Sequence, residues 1–268
     1  MHASRVIIAV SLTAAVISGT VVTVARATPP AVNYAALGDS YSSGVGAGDY
    51  ISSSGGCDRS TSAYPRLWAD ANAPASFSFA ACSGATTLDV ISGQLSALSA
   101  STTLVSVTAG GNDAGFTHVM ETCVLSSQNS CLSAVSTAEA FVASQLPARL
   151  NTMLADIRLH APSATIVVLG YPDLYDVSHS GLCIGLSGAD RTALNRGAGD
   201  LDIALAAAAA ANHDEFADVR GQFSGHEICD SGSWLHSVDI FSISSSYHPT
   251  AAGQQDGYLP VFDRAARS

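Results

Sequence analysis

The sequence predicts an α/β fold: a parallel sheet covered by helices on both faces. Three observations carry that prediction. Short apolar runs alternate with helix-patterned segments from about residue 31 to the end. The clearest run, "ATIVVLGYP" (164–172), is β-branched, uncharged and near-continuously apolar, as a strand buried on both faces must be. No Pro- or Ser-rich linker and no internal repeat divides the chain, so residues 28–268 are expected to form one domain.

The elements follow in order. Arg5 gives a short basic region, Val6 to Val24 an apolar stretch, and "ARA" (25–27) a small-x-small cleavage site; residues 1–27 read as a signal peptide. The stretch approaches membrane-spanning length, but small and hydroxyl residues interrupt it and "TPP" follows, which favours cleavage and a secreted, extracellular protein. "YAALGD" (34–39) predicts the first strand, "AYPRLWADA" (63–71) a helix, "SFSFAA" (76–81) strand two and "TTLVSVTAGG" (102–111) strand three. Residues 137–160 predict one long helix ending near Pro162, and 164–172 strand four. Residues 189–213 predict another long helix, whose alanine tract reads as a close-packed face. A strand near "EFADV" (215–219) and a helix from about Thr250 complete the pattern.

Composition narrows the function. Hydrophobic residues make up 47% of the 268, enough for a sizeable core. There is no lysine, the eleven arginines are scattered and the net charge is −11, so polyanions are repelled and nucleic-acid binding is excluded. Six cysteines stand at 57, 82, 123, 131, 183 and 229, an even number in an exported chain. Fifteen pairings are open; sequence order suggests Cys57–Cys82, Cys123–Cys131 and Cys183–Cys229, each worth about 2.5 to 4 kcal/mol by loop-closure entropy. A zinc site is the weaker reading, because no C-x-x-C occurs and "HEIC" (226–229) lacks a second histidine.

In parallel sheets ligands bind beyond the carboxyl ends of the strands. "GDS", "CSGATT" and "GGND" stand at three such ends and converge on one crevice. Acyl transfer needs a nucleophile, a base and donors for the developing oxyanion. Ser40 follows strand one. Among eight histidines, His248 in "SSSYHPTAAGQ" stands out, because Pro249 holds its backbone extended. The Ser40 N–H, the Gly84 N–H and the Asn112 side-chain amide would be the oxyanion donors; as turn glycine and cap residue, Gly84 and Asn112 also have purely structural readings. Free histidine titrates near about 6.5, so kcat/KM should rise through mildly acidic pH to a plateau.

"ALGDSYSSG", "SGATT", "GGND", "LGYP" and "HPTAAG", in that order, resemble the motifs of the SGNH, or GDSL-type, hydrolase superfamily over essentially the whole mature chain, and most of all its secreted bacterial lipases and esterases. That resemblance implies a three-layer α/β/α sandwich on a five-stranded flavodoxin-like sheet of order 2-1-3-4-5. It implies Ser40 as nucleophile, His248 as general base and then acid, and Ser40, Gly84 and Asn112 as the oxyanion hole, with no metal or organic cofactor. The subgroup's three sequential disulfides match the six cysteines. G-x-S-x-G is absent around Ser40. Many members place an aspartate three residues before the histidine; Ser245 stands there. The secreted subgroup uses a main-chain carbonyl instead, so Nδ1–H of His248 is expected to donate to the carbonyl of Ser245 or Ser246. Asp39 is expected to brace its loop, and Asp113 the loop beside Asn112.

The resulting expectation is a monomeric lipase with esterase activity, contacting lipid surfaces at most transiently. Triacylglycerol, phospholipid and small esters all fit. Phospholipase A1 is the nearest alternative, a carbohydrate deacetylase a more distant one, and a non-catalytic secreted binding domain the reading from another class. Loops 41–56, 114–132 and 171–187 are expected to build the pocket. Phe116, Met120, Val124 and Leu125 read equally as an acyl groove or as helix core.

Overall fold

Asn33–Gly38 forms strand β1 and has no charged residue; Tyr34 through Leu37 are all buried. The computed structural model describes residues 31–178, 183, 185–238 and 245–268, so the signal-peptide segment 1–27 lies outside it. β1 is followed by a single helical turn, α1 (Ser40–Ser43), then α2 (Tyr64–Asn72), β2 (Ser76–Phe79), the short α3 (Thr87–Asp89) and β3 (Leu104–Thr108). Next come α4 (Phe116–Leu125), α5 (Gln128–Ser144), α6 (Leu146–His160), β4 (Thr165–Leu169), α7 (Gly188–Ala211), β5 (Glu215–Ala217), α8 (Arg220–Phe223) and α9 (Leu259–Ala265).

All four strand pairings are parallel, and the order is β2-β1-β3-β4-β5. This is the expected flavodoxin-like order. The chain moves outward one way from β1 to β2 and the other way from β3 to β5. Right-handed crossovers then place α2 on one face and α6 and α7 on the other. α9 packs with α2, and α4 to α7 pack on one another. The direction reverses between β1 and β3, where open α/β sheets bind ligands. Gly38 pairs with Thr108 in register, so both strands end at the same level.

The structure corrects two expectations. Residues 137–160 are not one helix: α5 ends at Ser144, Gln145 leaves helical geometry at φ −120°, and α6 restarts with Pro147 in its first turn. Proline lacks the N–H an unbroken helix would need there but suits a helix start. Residues 114–132 are not a loop, since α4 and the start of α5 occupy most of them. Their apolar residues lack a strong one-sided period, which hid them. The disulfides are Cys57–Cys82, Cys123–Cys131 and Cys183–Cys229, and the second joins α4 to α5. No helix among the described residues is long and apolar enough to cross a membrane.

Candidate active site

The chain turns sharply where β1 ends. Gly38 adopts φ +119°, and a Cβ there would collide with the Thr108 backbone carbonyl, so only glycine fits between the two strand ends. Buried Gln94 grips Gly38 twice: its Oε1 accepts from the Gly38 N–H at 2.7 Å and its Nε2 donates to the Gly38 carbonyl at 2.8 Å. Asp39 then caps α1, its Oδ1 accepting from the Tyr41 N–H at 2.9 Å. Ser40 is the first residue of α1, where a backbone N–H has no partner within the helix. The Ser40 N–H donates to no group among the described residues.

His248 reaches Ser40 from the far end of the chain. Its Nε2 lies 2.7 Å from Ser40 Oγ, and both residues are almost wholly buried. Its Nδ1 lies 3.0 Å from the Ser246 carbonyl, which fixes the tautomer: Nδ1–H donates to Ser246, and Nε2 is left to accept from the serine hydroxyl. The Ser245 carbonyl is engaged differently, accepting the His248 backbone N–H at 3.1 Å. Between them Tyr247 sits at φ +66°, a left-handed conformation held by its neighbours. Tyr41 Oη donates to the Tyr247 carbonyl at 2.7 Å, and Tyr175 Oη donates to Tyr247 Oη at 3.1 Å. Tyr41 thus ties the helix that begins at Ser40 to the histidine loop.

A further brace comes from His236. Its Nε2 donates to the Gly46 carbonyl at 2.8 Å, its backbone N–H donates to the His248 carbonyl, and its own carbonyl accepts from the Tyr247 N–H.

The loops after β2 and β3 close on the same crevice. The Cys82 N–H donates to the Gly38 carbonyl at 2.9 Å and the Ser83 N–H to the Cys57 carbonyl at 3.1 Å, so the Cys57–Cys82 bridge anchors the turn that carries Gly84. The Gly84 N–H has no acceptor among the described residues. Asn112 Nδ2 donates to the Ala85 carbonyl at 3.0 Å, which locks the two turns together and leaves its second amide hydrogen for a ligand. Asp113 accepts from the Thr87 N–H and hydroxyl at 2.8 Å each and from Arg149 at 3.2 Å, which is the bracing role expected of it.

Asp39 braces too, through a partner the sequence reading passed over. Tyr171 Oη donates to Asp39 Oδ2 at 2.5 Å and accepts from the Gly111 N–H at 3.2 Å, so one hydroxyl bridges the Ser40 and Asn112 turns. Burial pushes the Asp39 carboxyl up to about 7, against the lowering effect of those hydrogen bonds. The signal was present in "LGYP", a tyrosine directly after the most buried strand, but a strand-end tyrosine alone does not say what its hydroxyl meets. Of the four α4 residues expected at an acyl groove or in helix core, Met120 is buried, Phe116 and Val124 are half-buried and Leu125 is 76% exposed. All four line an apolar groove beside His248, Tyr247 and Val238.

Residues 36–255 match the profile of the GDSL-like Lipase/Acylhydrolase family. Lipase 1 of Streptomyces coelicolor is 56% identical over 90% of each chain. Among solved structures, phospholipase A1 from Streptomyces albidoflavus superposes with a TM-score of 0.86 at 54% identity, covering 88% of this chain and all of that one. The extracellular lipase from Streptomyces rimosus superposes with a TM-score of 0.85 at 49% identity over the same shares. A sheet order, a profile match and relatives that agree over nearly the full length leave one assignment: this chain belongs to the GDSL-like lipase/acylhydrolase family.

Proposed function

We propose that this chain is a secreted lipid-ester hydrolase that works through an acyl-enzyme on Ser40. The observation that carries the reading is the 2.7 Å approach of His248 Nε2 to Ser40 Oγ, with Nδ1 already committed to a backbone carbonyl. Neutral His248 takes the hydroxyl proton as Ser40 Oγ bonds to the ester carbon. The N–H groups of Ser40 and Gly84 and the Asn112 amide receive the negative oxygen. His248 returns its proton to the leaving alcohol as the C–O bond breaks. Water then attacks the acyl-enzyme, losing its proton to His248, and the serine and a carboxylic acid are released. The apolar groove beside His248 supports a lipid substrate over a carbohydrate ester. The three disulfides and the N-terminal apolar stretch support export.

A fluorophosphonate probe tests this reading. It should label the wild type and fail on Ser40→Ala, while nitrophenyl acetate turnover falls with it. A folded, disulfide-bonded wild type that takes no label would leave a non-catalytic binding domain as the better reading. A second acyl reading, phospholipase A1, is supported by the 54% identity to the albidoflavus enzyme. Turnover of phosphatidylcholine beside triolein separates the two.

A further inference from the structure

α1 is a helix of only four residues, and its backbone is not self-sufficient. Gly44 ends it at φ +88°. The Val45 N–H, which a continuing α-helix would direct to the Tyr41 carbonyl, goes to the Ser40 carbonyl instead. The buried Tyr41 carbonyl is left to find a donor elsewhere. α2 has the opposite shortage. Its first residue is Tyr64, whose N–H has no partner within the helix, and Ala63 before it carries no capping group.

One side chain meets both shortages. Gln254 Nε2 donates to the Tyr41 carbonyl at 3.0 Å, and Gln254 Oε1 accepts from the Tyr64 N–H at 2.9 Å. Gln254 is completely buried. Its own N–H donates to the Thr250 carbonyl at 2.9 Å, two residues beyond His248. It belongs to a π-helical turn, Gly253–Tyr258, that leads into α9; such turns are frequent at functional sites. Close packing fixes that turn. A Cβ on Gly253 would collide with the Trp234 carbonyl, and one on Gly257 with the Phe223 ring. The arrangement repeats on the other side of Ser40, where buried Gln94 grips Gly38 with the same two atoms. A carboxamide is suited to both places because it sets one donor beside one acceptor without charge.

Resting on the hydrolase reading above, we propose that Gln254 is a positioning residue: it fixes the turn that carries Ser40 against the segment that carries His248, and so holds Ser40 Oγ within reach of His248 Nε2. It touches neither of them.

Gln254→Met keeps the length of the side chain and removes both bonds. Active sites are counted by fluorophosphonate labelling taken to completion, and thermal melting verifies folding. The kcat on nitrophenyl butyrate should fall about tenfold or more, as expected of a nucleophile displaced from its base, while KM stays within about twofold. Gln254→Glu gives a second readout. Protonated, the new side chain offers the same donor and acceptor; ionised, it offers only acceptors and turns one of them on the Tyr41 carbonyl. Burial raises a carboxyl into the range of the assay. The kcat of this variant relative to wild type should therefore stay near wild type at pH 5.5 and fall as pH rises to 8.5. The titratable side chains of the joined segments, Asp39, Tyr41, Tyr64, His248, Asp256 and Tyr258, are the same in both proteins and cancel in that ratio. Wild-type kcat in folded Gln254→Met overturns the assignment. If the methionine variant does not fold, the glutamate variant decides, and a ratio that does not change with pH overturns it. A wild type that takes no label is a failure of the hydrolase reading; a labelled wild type with unaffected Gln254 variants is a failure of the positioning role alone.

Discussion

Replacing Tyr171 by phenylalanine removes one oxygen from the centre of the site and keeps the ring. That oxygen serves two partners, donating to Asp39 Oδ2 and accepting from the Gly111 N–H. Both partners become unsatisfied and buried. At about 1–3 kcal/mol for each, the variant should lose about 2–6 kcal/mol of stability. The loss should depend on pH. The Asp39 carboxyl is raised from 3.8 to about 7, so the folded state holds a proton that the unfolded chain releases. Stability is therefore fullest at acidic pH and falls as pH rises through about 7, by about 4 kcal/mol across the whole shift. The Tyr171 hydrogen bond favours the charged carboxylate, so its loss raises Asp39 further and deepens the fall on the alkaline side. Urea titrations of both proteins at pH 8 and pH 5.5 measure this directly. The difference between them should be larger at pH 8, and kcat on nitrophenyl butyrate should fall before KM moves. A loss below 1 kcal/mol at pH 8, or the same loss at both pH values, would refute the bridging role of the hydroxyl.

Three other outcomes follow from the same geometry. Gly46 adopts φ +89°, and a Cβ there would lie 2.7 Å from the Pro249 carbonyl and 3.1 Å from His248 Cβ, so Gly46→Ala should displace the histidine loop. A kcat/KM loss of about tenfold or more in a folded protein is expected from strain of about 1–3 kcal/mol, and wild-type kinetics would show that the loop yields. Ser245→Ala changes only a side chain beside the backbone that matters and should retain kcat/KM within about threefold, less than 1 kcal/mol; a hundredfold loss would place the Ser245 hydroxyl in the mechanism. Gln94→Leu orphans the Gly38 N–H but not its carbonyl, which still accepts from Cys82, so denaturant titration should show a loss of about 1–3 kcal/mol. No loss would mean that water replaces the amide.

Much of this molecule is legible in its sequence, for physical reasons that differ by element. β1, β3 and β4 are readable because a strand buried on both faces cannot carry charge. Ser40 and Asn112 stand out as motifs at strand ends and His248 by the proline after it, and the structure brings His248 to 2.7 Å from Ser40. The break at Gln145 is less so: Pro147 was visible, but a proline in a first turn and one inside a helix look alike until the preceding backbone is known. Which carbonyl holds His248 depends on Tyr247 turning into left-handed space, which a tyrosine does not announce. The Tyr171 bridge joins Asp39 to Gly111 across 132 and 60 residues of chain, and no local pattern encodes either distance.

The partner of His248 Nδ1 is a peptide oxygen rather than a carboxylate. Every residue type supplies that oxygen, so no codon change at Ser246 can delete it. The partner of His248 is specified by the path of a loop and can be lost only by rerouting that loop, through Tyr247, Gly46 or the hydroxyl of Tyr41. Selection acts on it at a distance. A survey of single substitutions should therefore find the sensitive positions around position 246 and not at it.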